Sequence, residues 1–109
     1  MYISITGIKV TGFLGMLKFM RYTTPSFAAA RKANGNLFCD SKKINKYYHT
    51  LTAWENKNKM MDYLRGKHHA LAMKNFKSIG TGSVYGYEDD LMPSWEDAIK
   101  KWKQNFKEI

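Results

Sequence analysis

The chain is short of cysteine, proline and arginine, and it has no long apolar run. Cys39 is the single cysteine, so no intramolecular disulfide can brace the fold. Without a CxxC pair, a reducing compartment is the default expectation. Pro25 and Pro93 are the only prolines, and no repeat, linker or low-complexity tract appears. Of eighteen basic residues only Arg21, Arg31 and Arg65 are arginine. Lysine is a hydrated point charge, whereas arginine is the better fork for phosphates and bases. The balance therefore suits solubility or loose anion attraction more than nucleic-acid readout. The apolar stretch Phe13–Met20 is short and broken by Lys18, which excludes a membrane span. Met1–Val10 reads as a strand and not as a leader. A soluble, cytoplasmic protein is expected, with no membrane partner and no specific nucleic-acid partner.

Acidic residues are scarce in the first half. Residues 1–50 carry eight Lys or Arg against Asp40 alone, and residues 51–109 carry ten against eight. The formal net charge of +9 is thus weighted towards the first half. Aromatics, by contrast, reach 15% and apolar residues 44%, which argues against disorder. The 109 residues fit one domain, 1–109. A domain of this size buries roughly 60–70% of its unfolded surface, so pairing with a second copy would hide more apolar area.

Along the chain, Tyr2–Val10 alternates as a first strand, with Gly7 suggesting a bulge or kink. Phe13, Leu14, Leu17 and Met20 follow at helical spacing. Thr24 reads as a cap with Pro25 at the first helical position, giving one interrupted helix from about Gly12 to Ala33. Asn36–Asp40 starts a second strand, and Ser41–Asn45 reads as a polar turn. Lys46–Trp54 is the clearest strand, apolar or aromatic on both faces as a covered central strand would be. Asn56–Arg65 is a short helix with Met60, Met61 and Leu64 inward, and Gly66 interrupts it. Lys67–Lys77 then sets His69, Ala72, Met73 and Phe76 on one stripe. Gly80–Glu88 returns as a strand. Ser94–Phe106 closes the chain as a helix whose apolar face is Trp95, Ala98, Ile99, Trp102 and Phe106. The order predicts an α+β fold, ferredoxin-like β-α-β-β-α-β with an added C-terminal helix. Lys46–Phe76 forms its strand–helix centre.

That centre resembles a known family. Thr52-Ala53-Trp54-Glu55, a helix, and then His69-Ala70-Leu71-Ala72-Met73 is similar to the pattern of antibiotic-biosynthesis-monooxygenase-like proteins. The subgroup that includes spheroidene-monooxygenase-like and DUF3291-type proteins is the nearest in pattern. The resemblance implies a dimeric α+β barrel, in which two ferredoxin-like sheets face each other and each subunit encloses a cavity between sheet and helices. Members range from cofactor-free oxygenases through heme-degrading enzymes to proteins without known activity, so the fold fixes no reaction. In the heme-degrading branch a Trp and a His on the helical segment, with an Asn on strand one, are essential. Tyr63, Met73 and a position near Gly7 stand there in this chain.

Each candidate residue has a plainer reading. His69 can orient a ligand or move a proton from a cavity wall, although capping or surface histidines are commoner. His68 and His69 are adjacent and so point apart on a helix, which makes a poor metal pair. Trp54 is first of all a core anchor. Tyr63 fits packing as well as ligand contact, and Met60, Met61 and Met73 fit adaptable core filling. Cys39 has no local base to make it a nucleophile. The resulting expectation is a homodimer that binds a small hydrophobic or aromatic molecule. His69 would be the catalytic residue, and Trp54, Tyr63 and Met73 would bind the ligand. Monooxygenase-like chemistry would need no cofactor and no metal. A non-catalytic protein that binds heme, through His69, or another ligand is one alternative, and a weak binder of nucleic acid or an anionic surface is another.

Overall fold

The computed structural model describes residues 1–109. Its elements are β1 (Tyr2–Val10), α1 (Gly12–Lys18), α2 (Thr24–Lys32), β2 (Asn36–Ile44), β3 (Tyr47–Trp54), α3 (Lys57–Leu64), α4 (Lys67–Lys74), α5 (Phe76–Ile79), β4 (Gly80–Glu88), α6 (Trp95–Asn105) and β5 (Lys107–Glu108). A π-helical turn, Phe19–Thr23, joins α1 to α2. The strands form one antiparallel sheet in the order β2-β3-β1-β4-β5. The α+β, ferredoxin-like arrangement expected from the sequence is therefore present. No helix is long and apolar enough to cross a membrane.

Strand side chains alternate between faces, so the pairing register decides what each face carries. Ile3 pairs with Ala53, Ile5 with Leu51 and Gly7 with His49 across β1 and β3. This face is dry. Ile3, Ile5, Leu51 and Ala53 pack with Ala98 and Trp102 of α6 in one buried cluster. His49 belongs to this core. Its Nδ1–H donates to the Thr6 carbonyl at 3.2 Å, and its ring stands edge-on to Trp102 at 4.8 Å. Trp102 donates from Nε1 to the Ser83 carbonyl at 3.2 Å, and Trp95 donates to Asp40 Oδ2 at 3.0 Å. Helix α6 is thereby fastened to β4 and β2. The other face pairs Ser4 with Thr52 and Thr6 with Thr50, and lies under α1–α5.

Several local expectations change. Gly7 makes no bulge: the β1–β3 and β1–β4 registers run through it without a shift. The glycine is needed because a Cβ there would collide with the Trp102 indole. Thr24 does not cap a helix, since its backbone is helical and Thr23, before it, makes no side-chain cap bond either. The chain instead widens into the π turn just before Pro25, whose ring cannot accommodate an ordinary helical carbonyl four residues back. Ser41–Ile44 is strand and not turn, and the hairpin closes in two residues with Asn45 at φ 57°. Asparagine tolerates that left-handed geometry better than most side chains. In α1 and the π turn the periodic apolar residues Phe13, Leu14, Leu17 and Met20 are exposed. The inward contact is made by Gly15, whose missing Cβ lets α1 approach the Ile79 carbonyl.

Two substitutions test this packing. Gly7→Ala should cost about 1–3 kcal/mol through overpacking on Trp102, measured by urea unfolding; an unchanged midpoint would refute the contact. Tyr87 Oη is buried without a hydrogen-bond partner. Tyr87→Phe should therefore raise stability by about 1 kcal/mol, read from the same unfolding curves.

Candidate functional site

A cavity of about 740 Å³ lies between the hydroxyl-bearing sheet face and the helices. Its floor is built from strands. Ser4 and Thr6 of β1 stand beside Thr50 and Thr52 of β3, with Val84 and Gly86 of β4 alongside. Its apolar roof comes from helices, including Phe27, Met60, Leu64, Ala72, Met73 and Phe76. The stripe His69, Ala72, Met73 and Phe76 faces this space in full. Small-molecule sites are generally of this kind, mostly apolar with a few convergent polar groups.

Trp54, Tyr63 and His69 form a continuous aromatic wall. Trp54 is buried at the end of β3 and donates from Nε1 to Thr52 Oγ1 at 3.0 Å. Tyr63 of α3 stacks on it at 5.3 Å with 26° between the planes. His69 of α4 stands edge-on to Tyr63 at 5.4 Å and 62°. Helix α3 is placed for this by Asn56, whose side chain accepts from the Lys59 amide at 3.0 Å. Gly66 then separates α3 from α4.

The polar atoms of the wall are not equivalent. The Tyr63 hydroxyl donates to the Ser26 carbonyl at 2.7 Å and sits 2.8 Å from Ser26 Oγ, which can donate to it. Its proton is thus committed within the protein. Burial pushes the Tyr63 hydroxyl pKa up, against the lowering effect of the Ser26 bond. The ring of Tyr63 can form a wall, but the hydroxyl is occupied. His69 differs. A carbonyl oxygen can only accept, so Nδ1 carries the proton donated to Leu64 at 3.2 Å. Nε2 then keeps its lone pair. Burial lowers the imidazole pKa from its ordinary value of 6.5, opposed by the Leu64 bond. His69 is therefore a neutral base at neutral pH. No Asp or Glu side chain lines the cavity, whose charged lining side chains are Lys57 and Lys107.

The four residues singled out from the sequence, Trp54, Tyr63, His69 and Met73, all line this one cavity. Met73 sits at the rim, partly exposed. Sequence reasoning missed the hydroxyl floor. Thr50 and Thr52 look like ordinary strand formers, and only the register with Ser4 and Thr6 shows that they converge. It also missed Lys57, Lys107 and Phe27. No three His, Cys, Asp or Glu side chains converge anywhere in the chain. Burial pushes the Cys39 thiol up, against the lowering influence of Arg31.

No family model and no curated protein matches this sequence. Solved structures do match. A Deinococcus radiodurans protein assigned as an antibiotic biosynthesis monooxygenase superposes with a TM-score of 0.72 at 15% identity, over 86% of this chain and 97% of its own. The chain has the antibiotic-biosynthesis-monooxygenase-like fold. SnoaB of Streptomyces nogalater, a cofactor-independent oxygenase, superposes with a TM-score of 0.67 at 10% identity, over 84% of this chain and 94% of its own. A conserved Methanosarcina mazei protein gives 0.71 at 12% identity, over 82% and 92%. At such identities the shared property is the fold.

The buried His49 and the half-buried His69 set a pH dependence. Both His49 and His69 have pKa values lowered by burial from 6.5. Below that value the unfolded chain binds protons before the folded one does. Stability should thus be full above about pH 6.5 and fall as the pH drops below it. His69→Gln, which keeps a donor towards Leu64, should flatten part of the slope in thermal unfolding. An identical slope would show that His69 is not buried as described.

Proposed function

We propose that this protein binds a small aromatic or hydrophobic molecule in the cavity between sheet and helices, with His69 as the group that takes a proton from it. The carrying observation is the pairing of a neutral, lone-pair-bearing His69 with the Trp54–Tyr63 wall above a hydroxyl floor. Flat apolar rings fit the wall and the helical roof. Ser4, Thr6 and Thr50 are free to meet oxygen substituents on the ligand, because none makes a side-chain bond within the protein, and Thr52 already accepts from Trp54. Met73 closes the rim.

Removal of a proton from a phenol or enol by Nε2 leaves an electron-rich anion, and Lys57 and Lys107 favour negative charge nearby. The likeness to a cofactor-independent oxygenase supports the reaction class that follows. An activated methylene would become a carbonyl with one atom of dioxygen, and the second atom would leave as water with the two hydrogens. The substrate supplies the electrons, so neither metal nor cofactor is required. Heme held through the same Nε2 is the competing reading.

Titration with 1-naphthol, followed by tryptophan fluorescence, should show saturable binding. Ala72→Phe, which fills the roof, should weaken it about tenfold or more. His69→Ala should retain binding but lose any dioxygen uptake. Absence of saturable binding, or indifference to Ala72→Phe, would remove the cavity as the site. A hemin-induced Soret band that disappears in His69→Ala would favour the heme reading instead.

Two copies are further proposed to associate. Around α6, the side chains of Tyr47, Tyr85, Tyr87, Met92 and Trp95 remain only partly buried, and a second copy could cover them. A partner sheet cannot simply lie against Ile3, Ile5, Leu51 and Ala53, because Ala98 and Trp102 already rest there. The dimer must pack around α6 or exchange it. Light scattering at micromolar concentration should give twice the chain mass, and a monomer mass would end this reading.

A further inference from the structure

Charge is distributed by layer in the folded molecule. The helical layer, residues 12–32 and 57–79, holds ten Lys and Arg against one acid, Asp62. That layer alone therefore accounts for the whole formal net charge of +9, and the rest of the chain is neutral in sum. Asp62 is paired with Arg65 at 3.3 Å. Nine of the ten basic side chains are exposed, and Lys59 is half-buried. The same layer presents the apolar stripe of α1 and the π turn. Phe13 is 77% exposed, Leu14 71%, Leu17 50% and Met20 61%. Lys18 and Arg21 are interleaved with them, and the first acidic residue of the chain is Asp40.

We infer that this layer is a peripheral docking face for an anionic lipid bilayer. Apolar side chains standing out of a basic surface suit the boundary between headgroups and acyl chains, with lysine and arginine reaching the phosphates. Other occupants fit less well. A second copy docking through the same layer would bring +9 against +9. A nucleic-acid backbone would satisfy the cations but leave the four apolar side chains without burial. The fold does not need the stripe inward, because Gly15 makes the close contact of α1 with Ile79. The inference does not depend on the cavity or on His69.

Vesicle flotation of the full chain tests it. Binding is expected to phosphatidylcholine vesicles containing phosphatidylserine, weakening with salt, and not to phosphatidylcholine alone. Leu14→Ser with Leu17→Ser should lower partitioning about tenfold or more, and so should Lys18→Glu with Arg21→Glu. These residues are exposed, so an unchanged circular dichroism spectrum and melting curve should accompany the loss. Failure to float with anionic vesicles would overturn the inference. So would equal binding to neutral vesicles, or tighter binding to a random DNA duplex that the leucine variants leave unchanged. Naphthol binding in the same variants should stay intact, which separates this face from the cavity.

Discussion

The register between β1 and β3 is the constraint on which the rest depends. Because strand side chains alternate, the pairs Ile3–Ala53 and Ile5–Leu51 commit one face to a dry core. The intervening pairs Ser4–Thr52 and Thr6–Thr50 then have no choice but the other face. A slip by one residue would put hydroxyls under Trp102 and isoleucines into the cavity. The dry face is fixed by α6, and Gly7 is the point where that fixing is tightest, since only a residue without Cβ lets the Trp102 indole reach the sheet. The cavity is in this sense a consequence of the core on the opposite side.

Holding the helices off the sheet has an energetic cost. An unfilled space forfeits dispersion contacts that a packed interior would have. The chain limits that cost with aromatic stacking. Trp54, anchored to the floor through Thr52, carries Tyr63 and His69 in turn, and the Tyr63–Ser26 bond ties α3 to α2 across the roof. Neighbouring roof positions use methionine, whose flexible thioether tolerates irregular space. The wall that gives the site its chemical character is thus also the strut that keeps it open.

What could be read from the sequence divides along physical lines. Strand β3, the break at Gly66 and the closing helix α6 are set by local periodicity and stand where the residues indicate, whereas the stretch read as one helix over Lys67–Lys77 breaks at Asn75, although His69, Ala72, Met73 and Phe76 still face one cavity. Their sum gives the ferredoxin-like order. Non-local contacts were not legible. Tyr63 meets Ser26 across 37 residues, and Trp95 meets Asp40 across 55. The convergence of Ser4, Thr6, Thr50 and Thr52 needs a register that neither strand encodes alone. Gly7 was visible, but its reason lies in Trp102, far along the chain. The Ser41–Ile44 segment was misread because polar residues mark turns in general, whereas here they form the exposed part of a strand.

Charge and the α1 stripe show the same division in a sharper form. Counted by halves, the basic excess follows chain order and says little about a surface. The fold regroups it: Lys57 to Lys77 join Lys18 to Lys32 on one layer, while most acids fall elsewhere, at Asp40, at the β4 tip and on α6. The spacing of Phe13, Leu14, Leu17 and Met20 would ordinarily mark a buried face. It points outward because Gly15 and Met16 already settle the inward contact. An apolar stripe left outside, on the one layer that carries the entire net charge, is a property that neither periodicity nor composition contains separately.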